Sequence, residues 1–157
     1  MLRHGLRALW AARRATLRPP EPRLAGDAGA GRRWLKGEVR VGARVLDAPG
    51  ASLWDLAPGD PAADDLHAFA WLDDLAALGH APARALAQAW VRDWIDRFGG
   101  GRGPGWTPER TGVRLLRLTG HAAFLLKGAP PGAERRLARS LAVQATVLRR
   151  RWRRAPG

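Results

Sequence analysis

Between Pro82 and Phe98 the apolar residues Ala83, Leu86, Ala87, Trp90, Val91, Trp94, Ile95 and Phe98 recur three or four positions apart. Only an α-helix turns that spacing onto one face. Gly99, Gly100 and Gly101 stop it. Three further segments carry the same signal. Asp60-Pro61, an N-cap followed by proline at the first helical position, opens a helix predicted over Pro61–Leu78, with Leu66, Phe69, Leu72 and Leu75 on one side and Gly79 as its stop. Thr107-Pro108 opens another, predicted to run to Lys127 and end at Gly128. A fourth is predicted over Gly132–Arg154, with Leu137, Leu141, Gln144, Leu148 and Trp152 on one stripe and arginine on the others.

Four helices joined by short turns favour antiparallel hairpins stacked side by side, so the expected class is mainly α. Glu38-Val-Arg-Val-Gly-Ala-Arg-Val-Leu46 alternates apolar and polar residues around Gly42, which suits a short β-hairpin lying on something larger. Pro19–Gly31 is rich in Pro, Gly and Ala without periodicity and reads as an irregular connector. Ahead of it, Arg3, Arg7, Arg13, Arg14 and Arg18 interleave with Leu2, Leu6, Leu9, Trp10 and Leu17 in a basic amphipathic pattern. That pattern fits an N-terminal helix docked on the body, and also resembles a transit peptide; no apolar run of the secretory kind follows. The expected organisation is therefore a basic helix and connector over 1–31, a β-hairpin and irregular stretch over 32–59, and helical hairpins over 60–157.

At 157 residues the chain is one ordinary domain by length, able to bury roughly 70% of the surface its unfolded form exposes. It has no Cys, which excludes disulfides, thiolate metal sites and cysteine nucleophiles. Tyr and Asn are absent as well. No stretch approaches the roughly 20 apolar residues that span a bilayer, and with no secretory signal the expected location is cytoplasmic.

Twenty-seven basic and 14 acidic residues give +13, a balance that raises nucleic acid or another polyanion as partner. Of the cations 25 are Arg and 2 are Lys, alongside abundant Ala, Gly, Pro and Trp. That bias also follows from GC-rich coding, so composition leaves a selected surface and mutational drift both open. The charge is uneven: +8 over residues 1–46, −5 over 47–110 and +10 over 111–157. The terminal run Arg149, Arg150, Arg151, Trp152, Arg153, Arg154 interleaves cations with an aromatic, which suits polyanion binding and equally suits a helix C-terminus.

Other constellations carry less. The glycine-rich loop Gly99–Gly105 lacks the Lys and Ser/Thr of a phosphate cradle and reads as a connector. His67 and His121 have Ala63, Trp71, Arg117 and Leu125 at four residues' distance, so neither has a second metal ligand on its face; they read as core or groove-lining histidines. No metal or cofactor is implied. Asp64-Asp65 and Asp73-Asp74 diverge by about 100° on a helix, which favours a solvated face or a cap over paired acid/base work. Trp90 and Trp94 lie on the apolar stripe as core, while Trp71 and Trp106 lie off it and are the surface candidates for stacking on a sugar ring.

Together, Leu66-His-Ala-Phe-Ala-Trp-Leu-Asp-Asp-Leu75, Trp90-Val-Arg-Asp-Trp-Ile95, Gly105-Trp-Thr-Pro108, His121 ahead of Leu125-Leu126, and Arg139-Ser-Leu-Ala-Val-Gln144 resemble bacterial proteins of the heparinase II/III-like family, from about Arg33 onward. The resemblance implies part of an α/α toroid that, in the family, precedes a large antiparallel β-sandwich. It implies polysaccharide lysis by β-elimination: an uronate carboxylate is neutralised, a base takes the C5 proton and an acid protonates the leaving oxygen. In the family Asn, His and Tyr of the toroid do this, with a further His from the sheet domain. This chain has neither Asn nor Tyr. The expectation is thus a non-catalytic N-terminal portion that lacks the rest of the toroid and the β-sandwich, contacts an anionic polysaccharide through His67, Trp71, Arg117 and His121, and leaves an apolar edge exposed. The competing expectation is a stand-alone basic helical module that binds nucleic acid or another polyanion.

Overall fold

The computed structural model describes residues 25–41, 44–47, 50–55, 61–103 and 105–152. The basic segment 1–18, the expected cap Asp60, and Arg153 and Arg154 lie outside them. The described chain is mainly helical. In order it runs α1 (Ala28–Lys36), β1 (Glu38–Val41), β2 (Arg44–Asp47), a 3₁₀ helix (Pro61–Ala68), α2 (Ala70–Leu78), α3 (Ala81–Phe98), α4 (Pro108–Gly120), α5 (Ala122–Leu126) and α6 (Ala133–Trp152). The two strands pair antiparallel, with Glu38 opposite Asp47 and Val41 opposite Arg44.

The expected connector ends in a helix. Asp27 caps α1 by accepting from the Gly29 amide, and Gly37, at φ 85°, closes it. Its Ala-Gly-Ala-Gly opening has no apolar periodicity, and glycine weakens helices. Tertiary contact reverses this, since the small residues let α1 lie directly on α2. A Cβ at Gly26 or Gly31 would overlap the carbonyls of Asp73 and Asp74. Asp74 then clamps the pair, accepting from the Asp27 amide at 2.9 Å and from Trp34 Nε1 at 3.0 Å.

The helix expected over Pro61–Leu78 is broken. Its first part is 3₁₀, and Phe69 at φ 65° is the one described non-glycine residue with positive φ. Such a conformation costs a bulky residue about 1–3 kcal/mol. Packing offsets it: the Phe69 ring is fully buried against Trp54, Trp71 and Trp94, and Trp71 Nε1 donates across the break to Leu66 O. The third predicted helix also divides, at His121, into α4 and α5. Helix α3 matches its periodicity, although its cap is His80, whose Nδ1 accepts from the Ala83 amide.

One apolar cluster joins Val39, Leu53 and Trp54 to all the longer helices, so this part of the 32–59 stretch packs into the same core as the helices. Among the described residues the large apolar side chains left exposed are Leu116, Val143 and Trp152, three positions in place of the continuous apolar edge expected. No described helix is long and apolar enough to cross a membrane.

Candidate functional site

The expected substrate residues converge on the interior. Asp73, on the buried side of α2, holds two partners from α4 and its C-terminal break. Arg117 Nε donates to Oδ2 at 2.7 Å, and His121 Nε2 donates to Oδ1 at 2.8 Å. Arg117 Nη1 also donates to Ala68 O at 2.7 Å. All three side chains are nearly enclosed, so the ion pair is formed out of water and ties α4 to α2. The break at His121 has a local basis, because Gly120 is a poor helix former and the imidazole turns inward to reach the carboxylate. The Asp73-Asp74 pair does diverge, Asp73 toward Arg117 and His121 and Asp74 toward Trp34 and the Asp27 amide.

His67 lies in a second buried network centred on Arg114, which sequence reading did not single out. Arg114 is 0% exposed. Its Nε donates to Gln144 Oε1, and its Nη1 donates to the carbonyls of His67 and Gly105, all at 2.8 Å. The guanidinium carbon sits 4.2 Å from the Trp94 ring centroid and 5.1 Å from that of Trp106. Trp94 Nε1 donates to His67 Nδ1 at 2.9 Å. Gly105, at φ 77°, is required here, since a Cβ would overlap the His67 side chain. The glycine-rich loop is therefore a stapled connector, with Arg151 donating to Trp106 O and to Gly101 O. The sequence signal available for Arg114 was Gln144 on the apolar stripe of the last helix, a buried polar residue that demanded a partner.

Two expectations are corrected by burial. Trp71 is 1% exposed and Trp106 2%, and the indole N–H of each is bonded internally, so neither offers a face to a sugar ring. Trp71 lay off the stripe of a straight helix, and the turn at Phe69 rotates it inward. Within the terminal cationic run, Arg151 points inward while Arg149 and Arg150 are exposed.

One face of α6 points outward. Arg135, Arg139, Arg149 and Arg150 are exposed on the side opposite buried Leu137, Ser140, Leu141 and Gln144. Among the described residues, no group of His, Asp and Glu could hold a metal ion. Between α3, α5 and the start of α6 lies an apolar notch of about 180 Å³, lined by Val91, Ile95, Leu125 and Leu137 with Arg92 and Arg136 also at its wall. No family model matches the chain, and neither a curated protein nor a solved structure does.

Proposed function

We propose that this chain is an N-terminal, non-catalytic helical region of a heparinase II/III-like polysaccharide lyase, acting on anionic glycans by supplying scaffold and charge while the reacting groups lie elsewhere. The observation that carries the non-catalytic part is the closure of the Asp73 cluster: Arg117 and His121 are both engaged by one buried carboxylate. His67 is engaged by Trp94. A proton-transfer group must reach its substrate within hydrogen-bonding distance, and these side chains face one another. The lack of Asn and Tyr agrees with this reading.

Two measurements test it. The chain alone, incubated with uronate polymers, is expected to generate none of the ultraviolet-absorbing unsaturated product; turnover by this chain alone refutes the non-catalytic assignment. The reading frame downstream of Gly157 is expected to continue into an Asn- and His-containing helix and a β-rich region, and a frame without them removes the lyase reading. A second reading, a stand-alone basic module for nucleic acid, draws on the +13 charge and on the exposed arginines of α6.

A further inference from the structure

We infer that the outward face of α6 is a docking surface for a linear anionic polysaccharide, held through Arg135, Arg139, Arg149 and Arg150. At 3.6 residues per turn these four fall within an arc of roughly 100° and span about 22 Å of helix. All four are exposed, and among the described residues no carboxylate pairs with any of them. The neighbouring arginines are used differently. Arg136 donates to Asp96 at 2.6 Å, and Arg151 staples the glycine-rich loop. The helix thus sorts its arginines by direction, pairing those at the flank and leaving outward a row of guanidinium groups that no described carboxylate meets.

The rest of the face narrows the partner. Between the arginines lie Ala142 and Thr146, and the Thr146 hydroxyl is turned back onto Ala142 O at 2.8 Å. No Asn or Gln stands on this face to read base edges, and the exposed aromatic of this helix, Trp152, lies beyond Arg149 and Arg150 at its C-terminal end, not between the arginines. What it offers is a line of planar forks, which suit carboxylate, sulfate or phosphate groups recurring along a chain. The choice of a glycan as that chain rests on the lyase reading above; the location of the surface does not.

The test compares two fourfold variants of the whole chain, each losing the same charge: Arg135, Arg139, Arg149 and Arg150 to Gln, and Arg32, Lys36, Arg102 and Lys127 to Gln. Probes are a heparin oligosaccharide, an oligogalacturonate and a short duplex DNA, titrated at low and moderate salt with circular dichroism to verify folding. The wild-type chain is expected to bind a glycan more tightly than the duplex, with affinity falling as salt rises. The α6 variant is expected to lose about tenfold and to flatten that salt dependence, and the control variant to change less than about twofold. Equal losses in both variants, or no glycan binding by the wild type, overturn the surface. Duplex DNA binding at least as tightly through the same four residues overturns the glycan assignment. Glycan binding through α6 in a chain whose reading frame leads to no sheet domain keeps the surface and removes the lyase reading.

Discussion

Replacing Arg114 by Met is the sharpest probe of the interior, because the two side chains have similar length and only the fork is lost. Three acceptors lose their donors: Gln144 Oε1 and the carbonyls of His67 and Gly105. A buried acceptor left unpaired costs about 1–3 kcal/mol. Against this stands relief from burying a cation with no carboxylate beside it, including an Nη2 that has no partner. The net expectation is a loss of about 4 kcal/mol, a large share of the 5–15 kcal/mol that holds a domain together. With a urea m-value of about 2 kcal/mol/M, the midpoint falls by about 2 M at unchanged slope. Tryptophan fluorescence reports the transition directly, since the chain has eight Trp and no Tyr. Adding Gln144→Leu to Arg114→Met should recover about 1 kcal/mol, because both partners of one bond are then apolar. A loss below about 1 kcal/mol for the single variant would show that the guanidinium does not hold these elements together.

The same residue sets a pH dependence. Burial pushes the Arg114 guanidinium down to about 9, well below its ordinary value. Between those values the unfolded chain keeps a proton that the folded chain has released. The penalty is therefore present in full below about 9 and is relieved as pH climbs from there toward the ordinary guanidinium range. With only two Lys and no Tyr, few other side chains titrate in that window. The stability difference between wild type and Arg114→Met should accordingly widen in favour of wild type as pH rises above about 9; a difference that stays flat contradicts it.

Other substitutions discriminate equally well. Trp71→Ala should cost about 3–5 kcal/mol in chemical denaturation, as a core tryptophan does, whereas a surface stacking residue would leave the midpoint unchanged. Asp73→Asn should cost about 2–4 kcal/mol by stranding Arg117, and retention of wild-type stability would mean that the pair contributes nothing. Gly105→Ala should lower thermal stability by an amount equivalent to about 2 kcal/mol or more, since a left-handed backbone and an overlap with His67 both oppose a methyl group.

Periodicity and caps made most helices legible from the amino-acid order alone. The stripe from Ala83 to Phe98 and the Thr107-Pro108 start depend on neighbours within one or two turns, and local backbone physics dictates them. The alternation from Glu38 to Leu46 carried the two strands for the same reason. Tertiary structure decided what depends on contacts distant in the chain. Helix α1 forms from an unpromising glycine-rich stretch because those glycines let it approach Asp73 and Asp74, some 40 residues on. The turn at Phe69 and the break at His121 arise where a ring and an imidazole gain more by facing the core than a straight helix would allow. The fates of the arginines show the limit most plainly. Arg114, Arg117, Arg136, Arg150 and Arg151 are the same residue type in similar helices, yet they are, respectively, a buried hub, an internal ion pair, a flank pair, an exposed cation and a loop staple. A helical wheel assigns each a direction, but only the packed molecule supplies what stands in that direction, and for a charged group that neighbour determines its role.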